Sequence, residues 1–130
     1  MSKLSRRSWR CICTVCLLVL GATVWLSREV EYRRISSPDS SYTAIVTYRR
    51  YQSLLPIAPG QSSDKAGFIR IVDAHGTNYG KIAVPMVWMT GDLKWIPGGA
   101  RLPLLGQWNF AKREYRYWND SDAEIVRTIK

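Results

Sequence analysis

Three cysteines and a single histidine are the side chains of this sequence that most readily bind a metal or act as nucleophile and base. Cys11, Cys13 and Cys16 form a C-x-C-x-x-C pattern, a spacing that resembles metal and redox motifs. A zinc site needs about four ligands, and the residues between these cysteines are apolar or small. We therefore expect the thiols to act mainly as small apolar side chains, although palmitoylation would be compatible with a eukaryotic host. The sequence predicts no metal and no cofactor.

His75 stands in the segment D-A-H-G, where Asp73 could orient an imidazole for acid–base catalysis. The same segment is rich in turn-forming residues, with Gly76 directly after the histidine. No second histidine or later cysteine could complete a nucleophile or metal set. The glycines form no phosphate-binding loop and the acids are scattered. We therefore expect a protein that is not an enzyme.

Charge is unevenly distributed along the 130 residues. The formal net charge is +9, and four basic residues precede the long apolar run. From Arg28 onward, fifteen Lys or Arg face ten acids, so the remainder is only mildly basic. The strongest basic cluster has a simpler role at a membrane than on nucleic acid, and we expect no nucleic-acid partner.

Sixteen uncharged residues, Cys11 to Leu26, form the apolar run. As a helix the run would be roughly 24 Å long, and flanking Trp and Arg side chains could extend it toward a ~30 Å hydrocarbon core. We assign residues 1–10 to a basic cytoplasmic leader, 11–27 to a transmembrane signal anchor in contact with lipid, and 28–130 to a β-rich extracytoplasmic domain. The residues taken to mark the span are Cys11, Cys16, Leu20, Trp25 and Leu26.

Two alternatives to an uncleaved anchor are a cleaved signal peptide and a buried helix of a soluble domain. Trp25 and Leu26 occupy positions where a cleavage site needs small residues, which favours the anchor. More basic residues before the run than after it favour a cytoplasmic N-terminus. The prediction is a single-pass protein of the bacterial inner membrane with its C-terminal domain in the periplasm.

Beyond the anchor, turn signals separate short β-prone segments. We predict a strand from Tyr42 to Tyr51, a loop over 53–65, and a hairpin whose strands join through Ala74–Asn78. Pro85 should end the return strand or confine it to an edge. Two strands are expected around Pro97-Gly98-Gly99, followed by a Tyr/Trp-rich segment. A polar turn at 119–122 and a closing strand at 125–129 should come next. The alternative for residues 120–130 is a short helix. The fold class is mainly β, a single transmembrane helix followed by a small antiparallel domain of five to seven strands.

Two clusters interleave aromatic and basic residues, the types enriched in protein-interface hot spots. The candidate protein-binding residues are Arg49, Arg50, Tyr51, Tyr115, Arg116, Tyr117 and Trp118. Strand alternation would place Arg49 and Tyr51 on one face, with Tyr48 and Arg50 on the other. Core packing with solubilising arginines is the alternative interpretation.

The segment SPDSSYTAIV resembles the S-P-D-G-x-x-I-A segment that opens blades in TolB-like β-propellers, and GFIRIVDAHG resembles the strand and turn that come next in such a blade. The likeness covers about thirty residues, one blade, and a propeller needs about four or more. The whole layout also resembles small uncharacterised bacterial membrane-anchored envelope proteins, some of which act as immunity proteins beside toxins.

We therefore expect a non-catalytic protein-binding domain in the bacterial envelope. In its sharpest form it is an immunity or inhibitor protein against an envelope-acting toxin or hydrolase. The alternative is a structural accessory subunit of an inner-membrane complex.

Overall fold

The computed structural model describes residues 6–54, 65–118 and 124–129. Over these residues the chain forms one α-helix, two 3-10 helices and nine β-strands. The elements are α1 (Arg6–Ser27), β1 (Glu29–Ser36), β2 (Tyr42–Arg49), a 3-10 helix (Arg50–Ser53), β3 (Gly67–Asp73), β4 (Asn78–Val84), a second 3-10 helix (Val87–Asp92), β5 (Lys94–Ile96), β6 (Gly99–Leu102), β7 (Gly106–Asn109), β8 (Glu114–Trp118) and β9 (Glu124–Thr128).

The helix α1 contains a 19-residue stretch, Trp9–Ser27, that is long and apolar enough to cross a membrane. At 1.5 Å per residue this stretch is roughly 28 Å long. Its hydroxyl groups are satisfied internally: Thr14 donates to the Arg10 carbonyl at 3.0 Å and Thr23 to the Val19 carbonyl at 2.8 Å. Such a helix needs no water along its length, which is consistent with a single-pass anchor.

The strands form two antiparallel sheets in simple sequential order, β1-β2-β3-β4 and β5-β6-β7-β8-β9. In the first sheet Glu29 pairs with Arg49, Tyr48 with Gly67, and Gly67 with Val84. The start of β1, the end of β2, the start of β3 and the end of β4 therefore lie side by side. The domain is thus mainly β and antiparallel, as the sequence predicts, and its strands form two sheets.

The two sheets share one hydrophobic core. Its centre is Trp108 of β7, which is fully buried and donates from Nε1 to the Gly80 carbonyl of β4 at 3.4 Å. The core residues are Ala44, Val46, Ile69, Ile71, Ile82, Val84, Val87, Leu93, Ala100, Leu102, Trp108 and Phe110. Because both sheets contribute to this cluster, burial of their facing sides holds them together.

The S-P-D segment forms the turn between β1 and β2. Ser37 donates from its hydroxyl to Asp39 Oδ1 at 2.5 Å, and the Ser41 backbone N–H reaches the same oxygen at 3.2 Å. These bonds lower the pKa of the Asp39 carboxyl. They give the chain a local reason to reverse here, as the turn chemistry of Pro, Asp and Ser predicts.

Most strand predictions are confirmed. The predicted hairpin is β3 and β4, joined by a turn over 74–77, and β4 ends at Val84, directly before Pro85. The strands expected around Pro97-Gly98-Gly99 are β5 and β6, and the Tyr/Trp-rich segment is β8. Of the loop predicted over 53–65, residues 55–64 lie outside the described residues, and so does the polar turn at 119–122.

Three predictions about the strands are wrong. The described residues contain nine strands and not five to seven, because β1 and β7 were missed. The strand β2 ends at Arg49, so Arg50 and Tyr51 lie in a 3-10 helix and do not alternate across a sheet. The alternative of a short C-terminal helix is excluded over Glu124–Thr128, which pairs with β8 as β9.

Candidate protein-binding groove

A groove of about 580 Å³ lies where the aligned strand ends of the first sheet meet the second sheet. Arg49 and Tyr51 line one side, and Tyr117 and Trp118 line the other. These residues are more than sixty positions apart in sequence and belong to the two predicted clusters. The fold therefore brings part of each cluster to one site.

Local contacts position the Tyr51 side of the groove. The 3-10 helix Arg50–Ser53 directly continues β2, and Ser53 Oγ lies 3.2 Å from Tyr48 Oη. Lys65, just before β3, lies with its ammonium 4.5 Å from the centre of the Tyr48 ring. These contacts hold the 3-10 helix against the sheet, so that Tyr51 stands at the rim and is 42% exposed.

The floor of the groove is apolar. It is formed by Phe68 of β3, Ala83 and Val84 at the end of β4, Pro85 directly after that strand, and Leu105 in the turn between β6 and β7. The glycine that begins β3 allows the close packing beneath it. A Cβ on Gly67 would lie 2.3 Å from the Thr47 carbonyl oxygen and 2.6 Å from Val87 Cγ1. A larger residue would therefore push apart the strands that form the floor.

Leu104, in the same turn as Leu105, is the most unusual residue that lines the groove. It is 85% exposed and has a φ of 64°, a left-handed conformation that a leucine adopts at a cost of roughly 1–2 kcal/mol. Sequence reasoning did not identify Leu104 or Phe68 as site residues. The available signal was Pro103-Leu104-Leu105, an apolar segment where a polar turn would be ordinary.

Cationic side chains cover the sheet surface next to the groove. The Arg49 guanidinium lies 6.0 Å, and the Lys81 ammonium 4.3 Å, from the centre of the Phe68 ring. Lys81 also forms an ion pair with Glu29, which accepts a hydrogen bond from the Thr47 hydroxyl at 2.9 Å. Although burial opposes the change, the bonds from Lys81 and Thr47 lower the pKa of Glu29. None of the three ion pairs among the described residues involves Arg49.

The remaining predicted binding residues do not line the groove. Tyr115 is half-buried and packs against the core, where its ring covers Gly80, a residue with a φ of 109°. Arg116 is exposed and pairs with Glu124 at 3.2 Å. The guanidinium of Arg50 lies over the Trp25 ring, 4.3 Å from its centre. The groove is therefore lined by four of the seven candidate residues: Arg49, Tyr51, Tyr117 and Trp118.

Tyr117 packs against a neighbouring aromatic ring. Its ring stacks on that of Tyr115, with 6.1 Å between the two centres. The nearby Tyr117 phenol raises the pKa of Arg127. Stacking on Tyr115 restricts the Tyr117 side chain, so less side-chain freedom is lost when a partner binds.

The histidine and the cysteines do not contribute to the groove. The Asp73 carboxylate accepts backbone N–H groups of His75 and Thr77 at 2.9 and 2.8 Å. Although desolvation opposes the change, these bonds lower the pKa of Asp73. The carboxylate therefore shapes the turn, while His75 is exposed. Cys11, Cys13 and Cys16 are exposed on α1, and no three His, Cys, Asp or Glu side chains converge as a metal site among residues 6–54, 65–118 and 124–129.

The residues taken to mark the span all lie on α1 within Trp9–Ser27; they are Cys11, Cys16, Leu20, Trp25 and Leu26.

Comparison of the chain with models of protein families, with curated proteins and with solved structures gave no match.

Proposed function

We propose that this chain is a membrane-anchored, non-catalytic protein that binds another protein in the bacterial envelope. Its N-terminus would lie in the cytoplasm and its β domain in the periplasm. In the sharpest form of the proposal, the domain inhibits an envelope-acting toxin or hydrolase as an immunity protein does. Such an inhibitor needs a complementary surface and no reacting groups.

The groove is the observation that supports this proposal. It combines an apolar floor, three aromatic residues at its walls and the Arg49 guanidinium at its edge. Trp, Tyr and Arg dominate the binding energy of protein interfaces when they line or fill well-packed pockets. A groove of about 580 Å³ suits the insertion of large side chains from a partner.

The test is capture of the partner by the full-length chain carrying a C-terminal tag, after gentle solubilisation of membranes. We expect Arg49→Glu and Tyr51→Ala to lose a stoichiometric partner that the unsubstituted chain retains. Lys112→Glu is the matched control for charge reversal, because Lys112 is exposed in the turn between β7 and β8, at the other end of the second sheet from the groove. Equal retention by all three variants would contradict the proposed site.

The identity of the captured protein separates the two functional hypotheses. A secreted toxin or hydrolase would support inhibition, whereas a membrane assembly would favour an accessory subunit. Replacing residues 11–27 with an unrelated span gives a second discrimination. An inhibitor should keep its activity after this exchange, while a subunit held by helix–helix contacts should lose it.

A further inference from the structure

The β domain follows the membrane helix without a linker. The helix α1 ends at Ser27 and β1 begins at Glu29. The Arg50 backbone N–H donates to the Arg28 carbonyl at 3.0 Å, and the Arg50 guanidinium lies over Trp25. Two contacts therefore tie the end of α1 to the end of β2, and the groove end of the first sheet must lie close to where the helix leaves the bilayer.

Exposed apolar side chains concentrate at this same end. Outside α1, the exposed large hydrophobic residues among those described are Tyr51, Leu54, Met86, Trp88, Leu104, Trp118 and Val126. All except Val126 either line the groove or follow the groove end of β2 or β4 within five residues. We call Leu54, Met86, Trp88 and Leu104 the apolar rim.

We propose that the apolar rim rests in the interfacial layer of the lipid bilayer that α1 crosses, so that the groove opens at the membrane surface. Tryptophan, leucine and methionine beside arginine are suited to the boundary between headgroups and acyl chains. Lipid is the occupant favoured by continuity, since the rim belongs to the part of the domain that the span holds next to the bilayer. Leu104 supports this assignment, because its strained backbone presents an exposed leucine at the rim.

This inference rests on the part of the proposed function that places α1 across a membrane, and it specifies the kind of partner. A protein bound in the groove would have to reach it beside the lipid headgroups. A partner segment that itself associates with the bilayer surface would meet the groove more readily than one confined to the aqueous space.

The test measures the immersion of nitroxide labels on the full-length chain in nanodiscs of phosphatidylethanolamine and phosphatidylglycerol. In a background with the native cysteines changed to alanine, labels are placed at Leu54→Cys and Leu104→Cys. The control in water is His75→Cys, in the turn at the other end of the β3–β4 hairpin, about 20 Å along the strands. The control in lipid is Leu18→Cys in α1.

We expect labels at residues 54 and 104 to be more accessible to oxygen than to a water-soluble nickel complex, as the label at residue 18 should be. The label at residue 75 should instead be more accessible to the nickel complex than to oxygen. Labels at 54 and 104 that behave like the one at 75, with residue 18 in lipid, would overturn the inference and leave the proposed function intact. A water-exposed label at residue 18 would refute the membrane span, and both proposals would then fail.

A second measurement does not depend on labelling. Brominated lipids quench tryptophans that lie at the depth of the bromine atoms. We expect Trp88→Phe to remove part of the emission that lipids brominated near the headgroup quench. Identical quenching of Trp88→Phe and of the unsubstituted chain would count against the inference.

Discussion

The contact between Gly80 and Tyr115 predicts how the two sheets respond to a single methyl group. A Cβ on Gly80 would lie 2.3 Å from Tyr115 Cδ1 and 2.6 Å from its Cγ. Gly80 also has a φ of 109°, which an L-residue rarely adopts. The substitution Gly80→Ala therefore combines a backbone penalty with overpacking of the interior.

A matched control separates these two costs. Gly76 has a φ of 84°, but a Cβ there would meet nothing within 4 Å. Gly76→Ala should cost about 1–2 kcal/mol, the conformational penalty alone. Gly80→Ala should cost about 1–3 kcal/mol more, because the Tyr115 ring is held by stacking on Tyr117 and cannot withdraw freely.

The assay is denaturant unfolding of the detergent-solubilised chain, followed by tryptophan fluorescence. In a Tyr115→Ala background, the cost of Gly80→Ala should fall by about 1–3 kcal/mol, since the opposing ring is gone and only the backbone penalty remains. If Gly80→Ala is no more destabilising than Gly76→Ala in the native background, Tyr115 is not packed on β4. The assignment of this tyrosine to packing against β4, and not to binding, would then be refuted.

Three further substitutions give distinct outcomes in the same unfolding assay. Glu29→Gln should lower the free energy of unfolding by up to about 1 kcal/mol at pH 7. Because its contacts lower the pKa of Glu29, the stabilisation by the carboxylate is lost as the pH falls below about 4.5. A difference in unfolding free energy between Glu29→Gln and the unsubstituted chain that is the same at pH 3 as at pH 7 would contradict this. Leu104→Asn should raise the free energy of unfolding by about 1 kcal/mol, since asparagine tolerates a positive φ; a loss of stability would show that the Leu104 side chain supports the fold. Trp108→Ala should cost about 3–5 kcal/mol, because it empties the centre of the core; a cost under 1 kcal/mol would be inconsistent with shared packing of the two sheets.

Local chemistry made much of the fold predictable. The Ser37–Ser41 turn, the turn before Asn78 and the stop at Pro85 follow from side-chain hydrogen bonds and from the missing N–H of proline. The strand β1 was missed because five of its eight residues are charged or serine, and only Val30, Tyr32 and Ile35 are partly buried. Four-residue β7 was too short for its alternation to be recognised in the sequence.

The candidate site was only partly predictable. Interleaved Arg, Tyr and Trp marked both clusters, but alternation was applied to Arg50 and Tyr51, which lie beyond the end of β2. The sequence also gave no means of telling Tyr115 from Tyr117. Both are tyrosines on the same face of one strand, so the sequence pattern treats them alike. They differ because the Tyr115 ring packs on Gly80, which has no side chain, whereas Tyr117 lines the groove.

The sequence by itself determined the helix long enough to cross a membrane, its lack of charge from Cys11 to Leu26, and the β character of the chain beyond it. These properties depend on neighbouring residues, so a pattern read along the chain is sufficient. Only the tertiary structure decided that Arg49 and Tyr51 meet Tyr117 and Trp118, and that the strand ends of the first sheet line up at the end where β1 follows α1. Those contacts join residues far apart in sequence and arise from the register and packing of two sheets, which no local pattern specifies.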